Sequence, residues 1–159
     1  MKTEALVELA PITLEKLKTY YREFERDEAI FADISRFSPY VYDENSVEKY
    51  YEKIMSDPKR VNFLIEADGK AVGEIALKHI DREKGSAELS IHLQNDKVKG
   101  RGFGTAAERL LIEKAKDMGL KKLSADAVLK NSRSRHVLEK VGFIQVSEDE
   151  TFAYYVLEM

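Results

Sequence analysis

The spacing of apolar residues changes several times along the chain, and each change marks an element. Ala5 to Ala10 alternates as a short strand that stops at Pro11. Thr13 then caps a helix from Leu14 to about Phe24, with Leu14, Leu17, Tyr20, Tyr21 and Phe24 at steps of three and four. Ser46 offers a second helix start, with Val47, Tyr50, Tyr51 and Ile54 on one face and Pro58 as its end. The middle of the chain has period two. Val61 to Glu66 and Ala71 to His79 are joined at Asp68-Gly69, a strong hairpin signal. A third run, Ser86 to Leu93, places Ala87, Leu89, Ile91 and Leu93 on one face and Glu88, Ser90 and His92 on the other. Helical spacing returns up to Met118, with Phe103, Ala106, Ala107, Leu110, Leu111, Ala115 and Met118 as the apolar stripe and Gly119 as the stop. Lys122 to Leu129 reads as a strand. Asn131 caps a helix from Ser132 to Lys140, which Gly142 ends, and two strands at roughly Phe143 to Val146 and Phe152 to Leu157 close the chain. The order β-α-α-β-β-β-α-β-α-β-β predicts an α+β fold. Its sheet should be mixed, mostly antiparallel and six- to seven-stranded, with about four helices and one βαβ unit.

The break between the third run and the following helix carries the most distinctive chemistry. Lys97 to Ala107 reads K-V-K-G-R-G-F-G-T-A-A, with three glycines among cations immediately ahead of a helix. Glycine lets the backbone approach a ligand closely, and a helix start presents unpaired N–H donors with about half a unit of positive charge. The segment therefore reads as a phosphate cradle. It is not a triphosphate loop, because no Gly-Lys-Ser/Thr occurs at the required spacing. Gly102, Gly104 and Ala107 satisfy G-x-G-x-x-A, but eight residues separate Leu93 from Gly102, whereas the dinucleotide fingerprint turns directly from strand to helix. A bare glycine turn without a ligand is the remaining alternative.

Composition narrows the field. The 159 residues are 43% hydrophobic, enough for one compact domain spanning 1–159 with a real core. Lys and Arg total 26 against 29 Asp and Glu, a net charge of −3 with both signs mixed, which disfavours nucleic acid as a partner. Without cysteine there is no disulfide framework, thiol nucleophile or cysteine-bound zinc. No metal is expected. No apolar window approaches a membrane span or a signal peptide, so no membrane is expected and a cytoplasmic location is the default. Residues 23–48 hold eight acids (Glu23, Glu25, Asp27, Glu28, Asp33, Asp43, Glu44, Glu48) against Arg26 and Arg36. This is either solvated surface or a rim that attracts a cationic substrate.

Two motifs together carry a family resemblance. K-x-x-G-x-G at Lys99 to Gly104, followed by N-S-R-S-R-H-V-L-E-K-V-G-F at Asn131 to Phe143, resembles the GNAT superfamily of N-acetyltransferases. Within it, the similarity is to the subgroup of ribosomal-protein N-terminal and spermidine acetyltransferases. The resemblance implies transfer of acetyl from acetyl-coenzyme A to an amine. It assigns the diphosphate to the backbone of Lys99, Gly100, Arg101, Gly102, Phe103, Gly104 and Thr105. It also implies splayed central strands, with backbone near Ile91 and Leu93 holding the pantetheine arm and Asn131 and Ser134 facing it from the other side. As a plain alternative, Asn131 is a helix cap. The chain departs from the family at Lys99, where Gln or Arg is usual, in a connection after Leu93 that is one residue longer, and at Leu138, where many members carry a tyrosine that protonates the leaving thiolate. The proton would then come from water or from a tyrosine such as Tyr154.

Acid–base chemistry sets what else to look for. A polyamine nitrogen with pKa about 10.4 is neutral in about one molecule in two thousand at pH 7, whereas a peptide N-terminus near 7.8 is neutral about one time in seven. Only the neutral amine attacks, so a base in the cleft matters most for a polyamine. Glu88, on the polar face of the third strand, is the first candidate and His92 the second, with Asp126 weaker. Attack is expected to be direct, in a ternary complex, because no cysteine and no Ser-His-Asp spacing offers a covalent route. The acceptor is either a small cationic amine or a protein N-terminus. A non-catalytic acyl-coenzyme sensor is the competing class, supported by Leu138, and the C-terminal strand edge permits a homodimer.

Overall fold

The computed structural model describes residues 6–159. Seven strands form one sheet in the order β1-β2-β3-β4-β5-β7-β6. The strands are β1 (Val7–Pro11), β2 (Val61–Ala67), β3 (Lys70–Asp81), β4 (Ser86–Leu93), β5 (Lys122–Val128), β6 (Ile144–Glu148) and β7 (Phe152–Glu158), and the helices are α1 (Leu14–Arg22), α2 (Glu44–Ser56), α3 (Phe103–Asp117) and α4 (Ser132–Lys140). This is the expected α+β order. Ala5, placed in the first strand by its pattern, lies outside the described residues, and Pro11 is the last residue of an edge strand, where a missing N–H costs no ladder bond. Asp68 and Gly69 both take positive φ, 51° and 77°, as the two central residues of a tight hairpin turn.

All neighbouring strands are antiparallel except β4 and β5, the two strands of the βαβ unit. Those two pair only over Ser86 to Glu88 with Lys122 to Ser124. Beyond that point β4 stays on β3 as far as Leu93 and β5 stays on β7 as far as Val128, so a wedge opens between them. The closed end is fixed by Gly85, whose carbonyl accepts from Lys121 N at 2.7 Å and Lys122 N at 3.1 Å.

Each face of the sheet carries its own core. On one face Ala107, Leu111 and Ala115 of α3 pack with Ile75, Leu77, Leu89 and Leu123. On the other, Leu17, Tyr20 and Tyr21 of α1 and Val47 and Ile54 of α2 pack with Leu64. The α3 stripe differs from the one its pattern predicts: Leu110 and Met118 are 39% exposed, whereas Glu108 and Ile112 turn inward. Residue polarity alone would put a glutamate outside, but the sheet and α4 together set which arc of the helix is covered. The start of α2 is also earlier than expected, because Asp43 and not Ser46 is the cap, accepting from Ser46 N at 3.1 Å. Among the described residues no helix is long and apolar enough to cross a membrane.

Candidate active site

The wedge between β4 and β5 continues into a cleft of about 350 Å³. One wall is the start of α3. Gly100 and Gly102 take φ of 73° and 82°, and Gly102 caps the helix with no side chain across its first amides, so the N–H groups of the first turn stand free to meet an anion. Gly102, Phe103, Gly104 and Thr105 line the cleft, as do Lys99 and Gly100. A Cβ added at Gly104 would come no nearer than 4.0 Å to Ile91 Cδ1, so the wall is open there. Arg101 is exposed and is not among the lining residues. The Lys99 side chain is 8% exposed, and its ammonium is committed to Asp27 Oδ2 at 2.7 Å and Asp96 Oδ1 at 2.9 Å. Its charge is therefore already neutralised, which leaves backbone amides as the donors in this wall.

The opposite wall is α4. Asn131 caps it, its Oδ1 accepting from Ser134 N at 3.2 Å, and both residues line the cleft. Arg133, His136 and Lys140 line it as well. Their spacing of three and four in N-S-R-S-R-H-V-L-E-K puts these three basic residues on one helix face, a pattern legible in the sequence but not singled out there. Leu138 is 2% exposed in the core. The Tyr154 hydroxyl donates to Asp149 Oδ2 at 2.6 Å and Tyr154 is not a lining residue, so the expectation that it serves the thiolate does not fit its placement.

The floor is β4, with Ile91, His92 and Leu93 all lining the cleft. His92 is the centre of a network that the sequence reading missed. Its Nε2 lies 3.3 Å from the Glu74 carboxylate and its Nδ1 3.0 Å from the Tyr20 hydroxyl, while the ring packs among Tyr20, Tyr21 and Phe24. In the neutral imidazole these partners assign the proton to Nε2, facing the carboxylate, and the lone pair to Nδ1. Glu74, on β3 opposite His92 and 3% exposed, also accepts from Tyr21, from Tyr50 at 2.8 Å and from Asn62 at 2.7 Å. Burial by itself would push this carboxyl up, but His92 and the two tyrosine hydroxyls together hold it down at about 2. Burial first, and then the charge of Glu74, hold the Tyr21 hydroxyl far above its ordinary range, which makes it a donor. The available signal was a lone acid inside the buried run Val72 to Leu77.

Glu88, the first candidate base, is placed elsewhere. It sits at the closed end of the wedge, opposite Ser124, with its carboxylate 3.5 Å from His79 Nε2, and it does not line the cleft. Asp126 lies opposite Tyr154 on β5 and is likewise outside the lining. Most of the acidic stretch is internally satisfied. Lys18 holds Glu44 and Glu48 at 3.0 Å each, Lys70 pairs with Glu23, and Asp27, Asp33 and Asp43 cap turns. Glu25 and Asp27 are the two that reach the cleft, and Glu25 has no ion-pair partner among the described residues.

Known proteins resemble this chain in sequence and in fold. YdaF of Bacillus subtilis (strain 168), a candidate ribosomal N-acetyltransferase, is 29% identical over 109 residues, and the match spans 64% of this chain and 59% of that protein, so this chain covers about three fifths of its relative. The spermidine N-acetyltransferase of Vibrio cholerae, solved in complex with CoA and spermine, superposes with a TM-score of 0.77 at 18% identity, covering 96% of this chain and 95% of that one. A dodecameric structure of the same enzyme gives 0.74 at 17% identity over 96% and 93%. Residues 7–144 match the acetyltransferase (GNAT) domain family. Among the described residues seven strands split at the one parallel pair, and this split, a helix start bared toward it and a family match across most of the length agree: the chain belongs to the GNAT acetyltransferase domain family.

Proposed function

We propose that this chain, acting as a single N-acetyltransferase domain, transfers acetyl from acetyl-coenzyme A to a small cationic primary amine by direct attack in a ternary complex. The observation that carries the reading is the uncapped start of α3 opening onto the wedge between β4 and β5, with Arg133 and Lys140 across from it. In this reading the diphosphate lies on the amides of residues 102–105, and the arm runs along Ile91 and Leu93 with Asn131 and Ser134 opposite. The thioester then reaches His92.

His92 takes the catalytic role in preference to Glu88, because only His92 lines the cleft. To act as the base, His92 must exchange the Tyr20 hydroxyl now 3.0 Å from Nδ1 for the acceptor ammonium or a bridging water; Nδ1 then removes the proton while Glu74 stabilises the imidazolium from the other side. The neutral amine adds to the thioester carbon, the resulting N–H2+ centre gives up its second proton to solvent, and the carbon–sulfur bond breaks. The thiolate leaves with the proton returned from His92, which answers the absence of a donor at Leu138. Glu25 supports a cationic acceptor over a protein N-terminus, since it places an acid on the same cleft as His92. The C-terminal strand expected at the edge, β7, instead lies between β5 and β6, because β6 adds outside it; exposed Ile144 and Val146 on the edge strand β6 are what support a homodimer as the assembly.

Free thiol released from acetyl-coenzyme A, measured across polyamines, aminoglycosides and peptide N-termini, tests the reading. Turnover should be fastest with polyamines, and His92→Gln should lower kcat at least about a hundredfold while coenzyme binding persists. Tight coenzyme binding without turnover on any acceptor would favour a sensor instead.

A further inference from the structure

Glu108 is a buried, titratable cleft residue that neither the motifs nor the proposed chemistry uses. It sits on α3 one turn beyond Gly104, is 2% exposed and lines the cleft, yet its Oε1 has no hydrogen-bond partner. A buried carboxyl without a partner destabilises the fold, and the position is otherwise suited to an apolar side chain among Ala107, Leu111 and Ile112. Folding gains nothing from it. We infer that Glu108 is a coenzyme-positioning residue that works as the neutral acid, its hydroxyl donating to an acceptor oxygen of the bound acyl carrier at the floor of the cleft.

This rests on the cleft being the coenzyme site. The charged and titratable groups that share the cleft lining with Glu108 are Arg133, His136 and Lys140 from α4, His92 from β4, Lys99 from the cradle, and Glu25 and Asp27 from the segment after α1. None makes a hydrogen bond or an ion pair with it; Lys99 is taken by Asp27 and Asp96, and His92 by Glu74 and Tyr20. Burial, unopposed, pushes the Glu108 carboxyl up to about 8, so the donor form predominates at neutral pH. When it ionises it loses its only proton and adds a negative charge to a cleft built for an anion. Binding of the carrier should then be linked to one proton.

Calorimetric titration of acetyl-coenzyme A, which carries no free thiol, into the full chain from pH 6.5 to 9.5 tests this. Wild type should lose affinity about tenfold per pH unit above pH 8 and take up close to one proton on binding at pH 9, read from buffers of different ionisation enthalpy. Glu108→Gln, a neutral donor of nearly the same shape, should show neither the slope nor the uptake. Glu108→Leu should raise the urea midpoint of unfolding while weakening binding at pH 7 about tenfold, opposite movements that a purely structural residue would not give. Equal pH slopes in wild type and Glu108→Gln, or no proton uptake by wild type at pH 9, would overturn the inference and leave the cleft standing. Absence of binding at pH 7 in wild type would remove the cleft and this inference together.

Discussion

At the scale of single residues, Glu74 shows how a charge is kept inside a small protein. Its carboxylate faces four donors, so its folded form is strongly acidic, and the sign of the pH effect follows. The folded pKa, about 2, lies below the ordinary carboxylate value. The resulting stability, up to about 3 kcal/mol, is present above pH 4.5 and is lost as pH falls from there toward 2. Chemical denaturation at pH 7 and pH 3 should show this loss in wild type and a much smaller one in Glu74→Gln. Glu74→Ala should cost about 3 kcal/mol at pH 7, because Tyr21, Tyr50, Asn62 and His92 all lose their acceptor. A cost below about 1 kcal/mol would mean that water replaces the carboxylate freely.

At the scale of elements, the cradle and the strand behind it separate binding from folding. Gly104→Asp meets open space, and a carboxylate near a helix start is favourable in the free protein, so stability should change by less than about 1 kcal/mol. Coenzyme affinity should nonetheless fall more than about thirtyfold, because the new charge sits at the proposed diphosphate site. Retained affinity would contradict the cradle. Gly73 is the converse case. A Cβ there would meet His92 O at 2.8 Å, Ile65 Cδ1 at 2.9 Å and Leu93 Cδ2 at 3.0 Å. Gly73→Ala should therefore cost about 1–3 kcal/mol and displace the floor of the cleft, raising KM for acetyl-coenzyme A in steady-state assays.

At the scale of the whole molecule, the cleft draws its walls from both halves of the sheet. The β1 to β4 half supplies His92 and the floor, while α4 and its cations pack with β5 and β6 beyond the wedge. A ligand that binds both halves stabilises the fold as a unit. Acetyl-coenzyme A at about a hundred times its Kd should add about 2.7 kcal/mol and raise Tm by roughly 5 to 10 °C, measured by scanning calorimetry. A polyamine alone should raise it far less, and an absent shift with coenzyme would argue against a cleft that bridges the halves.

Local rules were enough for what depends on neighbours along the chain. The Asp68-Gly69 hairpin, the glycine-capped start of α3, the Asn131 cap and the element order were all legible because turn chemistry and periodicity act within a few residues. Pairings across the sheet were not legible. Glu74 meets His92 because β3 and β4 are in register, and Lys99 meets Asp27 across 72 positions of chain. Glu88 falls outside the cleft lining because the wedge opens only after it. Glu108 faces inward because two neighbouring elements, not its own polarity, decide which arc of α3 is covered. Sequence settles the elements and their capping, since those energies are local. Tertiary structure alone decides which charges are neutralised, which stay bare and which proton a buried carboxyl keeps, since those depend on what distant segments bring within a few ångströms.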